Sequence, residues 1–310
     1  MRVIRHLRRE PRPLPGTVLT IGNFDGVHLG HQAILRRAVE QAERVRGQVV
    51  TLTFEPHPVA VLAPARAPAL LQPLRDRLAT LRTLGVEVIV VQRFTREFAM
   101  LEPDAFVEEF LLRHLELRHV VVGYNVTFGR NRAGTGETLG RLGAVHGFGV
   151  DVVGPVEVDG DKVSSSVLRR VLEAGDMRHA ARLLARPFAL RGRVIGGERR
   201  GRTLGFPTAN LHVRPRLLLP PHGVYAVRVV TSADRHPGVL NVGIRPTFGE
   251  RRLTMEAHLL DFDGDLYGQW LTVEFVERLR GEQPFTGVEA LKAAIAADVA
   301  RARAVLAAGR

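Results

Sequence analysis

The spacing of apolar positions changes character once along the chain. Between residues 16 and 154, GTVLTIGNF (16–24), QVVTLTF (48–54), EVIVVQRF (87–94), RHVVVG (118–123) and VHGFGVDVVG (145–154) read as strands. Between them, HQAILRRAVEQAERVR (31–46), LRDRLATLRTLG (74–85) and PDAFVEEFLLRHLE (103–116) carry apolar residues at helical spacing, the last with Pro at its start. Apolar strands separated by amphipathic helices predict a parallel sheet covered on both faces. Ligands of such sheets sit beyond the carboxyl ends of the strands.

Near Arg186–Pro187 the texture shifts to short β-like runs split by Gly and Pro: FALRGRVI, GVYAVRVV, GVLNVGI, TMEAHLLDF and WLTVEFVERL. Several alternate polar and apolar residues, as half-buried antiparallel strands do. A helical segment, 288–307, follows. This half predicts a small closed β-barrel with a terminal helix, and two domains, 1–186 and 187–310. A chain of 310 residues has room for two cores.

Composition narrows the chemistry. There is no cysteine, which removes disulfides, thiolate metal sites and thiol nucleophiles. Any metal is then held by oxygen or imidazole, and a hard ion such as Mg²⁺ suits oxygen. The net charge of +12 invites a nucleic-acid reading. However, only Lys162 and Lys292 are lysines, the arginines are scattered, and no nucleic-acid motif accompanies them. The partners expected are small anionic substrates, with no nucleic acid. No apolar run is long enough to span a bilayer, and the Arg-rich start lacks a signal-peptide core, so no membrane association and a cytoplasmic location are expected. A homo-oligomer and a monomer are both compatible with the sequence.

TIGNFDGVHLGH (20–31) concentrates the candidate chemistry of the first half. Gly26 and Gly30 let backbone pass close to a ligand, and a helix starting near Gly30 points its unpaired N–H groups into the same space. That is an anion site, where His28 and His31 are suited to donate hydrogen bonds to phosphate oxygens. A metal reading lacks an obvious third ligand, and a plain polar turn is the bland alternative.

These residues carry a family resemblance. GNFDGVHLGH resembles the G-x-F-D-G-x-H-x-G-H signature of the bacterial bifunctional riboflavin kinase/FMN adenylyltransferase (FAD synthetase) family. TFEPHP (53–58) resembles its flavin-side F-x-P-H-P segment. GYNVTFGRNRAG (123–134) resembles its G-x-[DN]-F-x-F-G-x-x-R-x-G loop, with Val126 where Phe is usual. VSSSVLRR (163–170) resembles I-S-S-T-x-I-R, with Ser166 in place of Thr; alone it would be read as a helix cap. In the second half ERRGRTLGFPTANL (198–211), HGVYAV, LNVGIRPTF and MEAHLLDFDGDLYG resemble the riboflavin-kinase segments in order.

The resemblance implies a Rossmann-like nucleotidyltransferase domain with a parallel sheet, followed by a riboflavin kinase barrel. It implies His28, His31, Asn125 and Arg169 as catalytic groups for adenylyl transfer. Gly22, Phe24, Asp25, Gly30, Ser164, Ser165 and Ser166 are implied on the ATP side, and Phe54, Pro56 and Pro58 on the flavin side. FMN already carries an anionic phosphate, so this step needs charge neutralisation and placement rather than a base.

The kinase half has no P-loop, because neither lysine is followed by Ser or Thr. Gly201, Arg202 and Gly205 form a cationic loop suited to phosphates. Thr208 and Asn210 offer two oxygens for a Mg²⁺ shell, although PTAN alone reads as a turn. Alternation places Glu256 on a face with His258, Leu260 and Phe262, expected to be the barrel interior. By resemblance Glu256 is the base that activates riboflavin's hydroxyl, with Arg245 at the flavin; a Glu256–Arg245 salt bridge is the structural alternative. Asp261, Asp263 and Asp265 fail the calcium-loop pattern, since Leu266 and Thr272 stand where Gly and Glu are needed. The implied substrates are riboflavin, FMN and ATP with Mg²⁺. An enzyme with one activity and a second, flavin-binding domain is the alternative.

Overall fold

A computed structural model of the chain describes residues 2–196, 205–247 and 250–308, apart from the side chains of 9, 244–247 and 250–253. It divides into two compact units, Met1–Ser165 and Ser166–Arg310.

The first unit is built on a six-stranded sheet in the order β1-β4-β3-β2-β5-β6, and every pairing in it is parallel. The strands are β1 (Arg2–Ile4), β2 (Leu14–Ile21), β3 (Gln48–Glu55), β4 (Val88–Arg93), β5 (Leu115–Gly123) and β6 (Gly149–Val153). Alternate residues feed two cores. Leu19, Val50, Leu52, Val120 and Val122 pack on one face, and Val18, Val49 and Val121 on the other with Leu35, Ala38 and Ala42 of helix α1 (Leu29–Val45). Burial on both faces is why these strands read as continuous apolar runs. The strand order reverses between β2 and β5, so their carboxyl ends open the crevice in which such sheets bind ligands.

Three local expectations are corrected. The helical segment expected over 103–116 ends as a π-helix at Leu112, because Leu115 and Leu117 alternate with exposed Glu116 and start β5. The strand expected over 145–154 begins at Gly149, since His146 still ends the helix Gly136–His146 and Gly147 closes it in the left-handed region at φ 78°. PTAN is not simply a turn: a strand begins at Ala209.

The second unit contains a closed antiparallel barrel ordered β10-β13-β12-β11-β14-β9. Following the β7–β8 hairpin of the first unit (Glu157–Val158, Asp161–Lys162), its strands are β9 (Phe188–Ile195), β10 (Ala209–Val213), β11 (Gly223–Val230), β12 (Arg235–Thr247), β13 (Glu250–Leu259) and β14 (Trp270–Arg280). Tyr225, Leu240, Met255, Ala257, Leu271, Val273 and Phe275 are fully or almost fully buried. On the other face Val224, Ala226, Val239 and Leu279 pack with Ala302 and Leu306 of the terminal helix Val288–Ala308. Burial pushes the Tyr225 hydroxyl up to about 12, against the pull of Arg278, so it stays protonated and donates to the Pro221 carbonyl.

Candidate functional site

The first site grows from the end of β2. Phe24 (φ 50°) and Val27 (φ 42°) are both left-handed and both fully buried. Each such non-glycine residue costs about 1–2 kcal/mol. The turn is fixed from several sides. The Asp25 carboxylate, 2% exposed, accepts from the N–H groups of Leu71 (3.0 Å) and Gln72 (3.1 Å). Its carbonyl accepts from the Ser165 hydroxyl at 2.9 Å. The Asn23 carbonyl accepts from Arg77 Nη1 at 2.8 Å and from Thr53 Oγ1 at 3.2 Å.

This turn delivers His28 to the N-cap of α1, where its Nδ1 accepts from the His31 N–H at 3.4 Å. An accepting Nδ1 places the proton of the neutral ring on Nε2, which makes Nε2 a donor. The His28 and His31 rings are stacked, 3.7 Å between centroids, and Phe24 lies 5.1 Å from His31. A Cβ on Gly30 would sit 3.2 Å from the His28 ring and 3.4 Å from the Val163 carbonyl, so the small residue makes room for the imidazole. A Cβ on Gly22 would sit 3.2 Å from the Phe24 ring. Asn125, exposed, follows the end of β5 beside α1, where Gly123 approaches Ile34. Two stacked imidazoles thus sit at the start of a 17-residue helix, where the unpaired N–H groups and the helix dipole favour an anion.

The residues expected on the flavin side, Phe54, Pro56 and Pro58, lie at and just after the end of β3. Phe54 is half-buried against Phe94 (5.6 Å) and Phe98 (6.1 Å), and Val126 packs on the same core. Pro56 is exposed, and Pro58 opens a short helix capped by His57 Nδ1. His57 Nε2 lies 3.4 Å from Asn23 Nδ2, which links this segment to the β2 turn. Ser164 and Ser165 belong to the first unit; Ser166, exposed, and Arg169, half-buried, belong to the helix Ser165–Glu173 that opens the second.

The second site lies on the barrel. Asn210 pairs with Glu256, and Glu256 with Asn241, so three polar residues of β10, β13 and β12 share one face in register. That face is not the interior, which corrects the expectation for Glu256. Met255 at 2% and Ala257 at 0% exposure point inward, and Glu256 between them points out. Asn241 extends the row to Val224, which packs against the terminal helix. Thr208 and Asn210 line a cleft of about 490 Å³ with Pro207, Phe262, Asp263 and Tyr267.

His258 Nδ1 lies 2.7 Å from the Pro207 carbonyl, and its ring meets Phe206 edge-on at 5.7 Å. A carbonyl only accepts, so His258 donates and ties β13 to the PTAN segment. Asp261 forms a forked pair with Arg303, at 2.7 Å to each nitrogen, and Asp265 accepts from the Tyr267 N–H at 2.8 Å. These aspartates are thus engaged in the fold. Gly205 (φ +86°) is left-handed; Gly201, Arg202 and the Arg245 side chain lie outside the described residues. Among the described residues no cluster of three His, Asp or Glu side chains is arranged to hold a metal.

Arg77, His258 and Asn241 were not singled out by sequence reasoning. Arg77 is one of three arginines in its helix and nothing in the sequence marks it out, whereas Asn241 is the second residue of the LNVGIRPTF segment and so had a signal.

Residues 10–167 match the FAD synthetase family model and residues 184–306 the riboflavin kinase model. The bifunctional riboflavin kinase/FMN adenylyltransferase of Pseudomonas fluorescens is 44% identical over 99% of this chain and 97% of its own length. The Escherichia coli K12 protein of the same name is 40% identical, over 98% and 97%. A crystal structure described as a macrolide-efflux protein from Streptococcus pneumoniae superposes with a TM-score of 0.88 at 30% identity, covering 97% of this chain and 98% of that one. None of the described helices here is long and apolar enough to cross a membrane. With both family models matched in order, the chain belongs to the bifunctional riboflavin kinase/FMN adenylyltransferase family.

Proposed function

We propose that the two reactions of the family use two separate sets of residues in this chain, dividing at about residue 186. The chain phosphorylates riboflavin to FMN with ATP and then adenylylates FMN with a second ATP to give FAD and pyrophosphate. The observation that carries the division is the coexistence of two unlike polar sites: a histidine pair at a helix start on the parallel sheet, and the Asn210–Glu256–Asn241 row on the barrel.

In adenylyl transfer the FMN phosphate is the nucleophile and is already ionised. His28 and His31 donate to ATP's phosphates and stabilise charge leaving with pyrophosphate. Asn125, Ser164 and Ser165 add neutral donors, Gly22, Phe24, Asp25 and Gly30 shape the turn, and Phe54, Pro56 and Pro58 flank the flavin. Ser166 and Arg169 keep the phosphate role that the resemblance gives them.

In phosphorylation the riboflavin hydroxyl must lose a proton as it attacks the γ-phosphorus. Glu256 accepts it, from an outward, half-buried position. Thr208 and Asn210 are two hard oxygen donors one strand repeat apart at the cleft. That donor set fits Mg²⁺, which keeps several waters and completes its shell with phosphate oxygens. Bound there it would neutralise phosphate charge. Gly201, Arg202 and Gly205 serve the phosphates and Arg245 the flavin. A cytoplasmic location accords with ATP as the shared substrate.

Incubating the pure protein with riboflavin, ATP and Mg²⁺ and separating the flavins tests the reading. FAD is the expected product. Accumulation of FMN alone, with no FAD from added FMN, would show a kinase with a silent first unit.

A further inference from the structure

Arg77 is 3% exposed and lies in the helix Leu74–Thr83. Burial pulls its pKa down, while Asp25 and Glu55 support its charge. A charge is kept in such a place only when its surroundings use it. Its Nη1 donates to the Asn23 carbonyl at 2.8 Å, and its Nη2 reaches the Phe54 carbonyl at 3.5 Å and the Glu55 carboxylate at 3.4 Å. One guanidinium thus holds the turn that leads to His28 and, through the other nitrogen, the strand end that opens the Phe54–Pro58 segment. Asp25, in the same turn, binds the N–H groups of Leu71 and Gln72, just before the helix that carries Arg77. Its carboxylate is committed to backbone, in a turn with two left-handed non-glycine residues that needs such fixing.

We infer that Arg77 and Asp25 are positioning residues of the adenylyltransferase site, keeping the phosphate-side histidine turn and the flavin-side end of β3 in one relative geometry. This rests on the assignment of that site to the first unit. Arg suits the task because its planar fork serves two carbonyl groups and a carboxylate at once; Lys offers a single point of donation. The contacts of both side chains described above are with the protein itself. Each acts through the backbone that presents His28 and Phe54.

The test uses the full-length protein at a temperature well below its unfolding transition, measured by circular dichroism for each variant. Arg77→Met is expected to raise KM for both ATP and FMN in adenylyl transfer and to lower kcat/KM roughly 10- to 100-fold, the scale of a small misplacement of reacting groups. Arg77→Lys should fall between it and the parent. Riboflavin phosphorylation should stay within about twofold, as for an independent site. Asp25→Asn covers the case in which Arg77→Met does not fold, and should raise the same two KM values. A purely structural residue would cut kcat in proportion to unfolded protein and leave both KM values alone; that result in Arg77→Met, or in Asp25→Asn, overturns the inference. His31→Ala separates the two levels. If it retains adenylyl transfer, the site assignment itself fails, whereas its loss beside unchanged KM values in the Arg77 and Asp25 variants removes only the positioning role.

Discussion

The imidazoles of His28 and His31 stack with 3.7 Å between centroids and 18° between ring planes. The rings belong to the N-cap and first turn of the helix Leu29–Val45, where its unpaired N–H groups favour an anion. The proposed function uses them together as donors to ATP's phosphates. Replacing either His28 or His31 by Ala should lower FAD formation from supplied FMN by about 10²–10³-fold, the scale for losing one transition-state donor. Riboflavin phosphorylation should remain near the parent rate. Parallel loss of both activities in a folded variant would refute the two-site division.

Glu256→Ala should produce the opposite pattern. Losing a general base costs about 10²–10⁴-fold in rate. FMN synthesis should fall by that amount, and FAD synthesis from supplied FMN should persist. A Glu256 that served only a salt bridge would change thermal stability while kcat for phosphorylation stayed close to the parent.

Which parts of this were legible in the sequence follows from the physics of each signal. The parallel sheet was legible because strands buried on both faces need apolar residues at nearly every position, as in VVTL and HVVV. The histidine turn was legible because two glycines and two histidines mark close backbone approach. The face of Glu256 was not. A period of two separates the faces of a strand without saying which is inside, and here the outer face is also apolar, at Val224 and Val239, because the terminal helix covers part of it. Arg77 was hidden for a related reason: arginine in a helix reads as solvent-exposed, and only the fold brings it under the Asn23 carbonyl.

Gly30→Ala separates stability from activity. A Cβ there meets the His28 ring at 3.2 Å, tight enough to displace the imidazole. Alanine also favours the helix by up to about 1 kcal/mol. The expected outcome is an unfolding midpoint equal to or above the parent's, with adenylyl transfer reduced about tenfold through a higher KM for ATP. Unchanged kinetics would mean that the His28 ring position does not matter.

His258→Ala removes the donor to the Pro207 carbonyl and the edge contact with Phe206. Losing one such hydrogen bond costs about 1 kcal/mol of stability. The larger consequence falls on Thr208 and Asn210, whose segment is tied to β13 through that bond. Riboflavin phosphorylation should lose about tenfold in kcat/KM for ATP, while adenylyl transfer stays intact. His258→Asn, which restores an N–H donor, should recover part of the loss. Equal effects on both reactions would point to global destabilisation instead.

Asp151 supplies a stability test with a defined pH sign. It accepts from Arg37 Nε at 2.6 Å and Gln41 Nε2 at 2.7 Å, and lies 3.4 Å from His119 Nε2, which joins β6 to α1 and β5. Partial burial pushes its pKa up, but the hydrogen bonds from Arg37 and Gln41, with the charges nearby, hold it below the usual carboxylate value. A depressed carboxylate contributes stability above its unfolded pKa of about 3.9, and that contribution is lost as pH falls through the lower folded value. Asp151→Asn should therefore destabilise the first unit by about 1–2 kcal/mol at pH 7, where the charge-assisted bonds are intact. The difference from the parent should shrink as pH drops below about 4 and vanish once both carboxyl states are protonated. Denaturant unfolding at pH 7, 5 and 3 measures it. A gap that stayed constant across that range would show that Asp151 stabilises by packing rather than by charge.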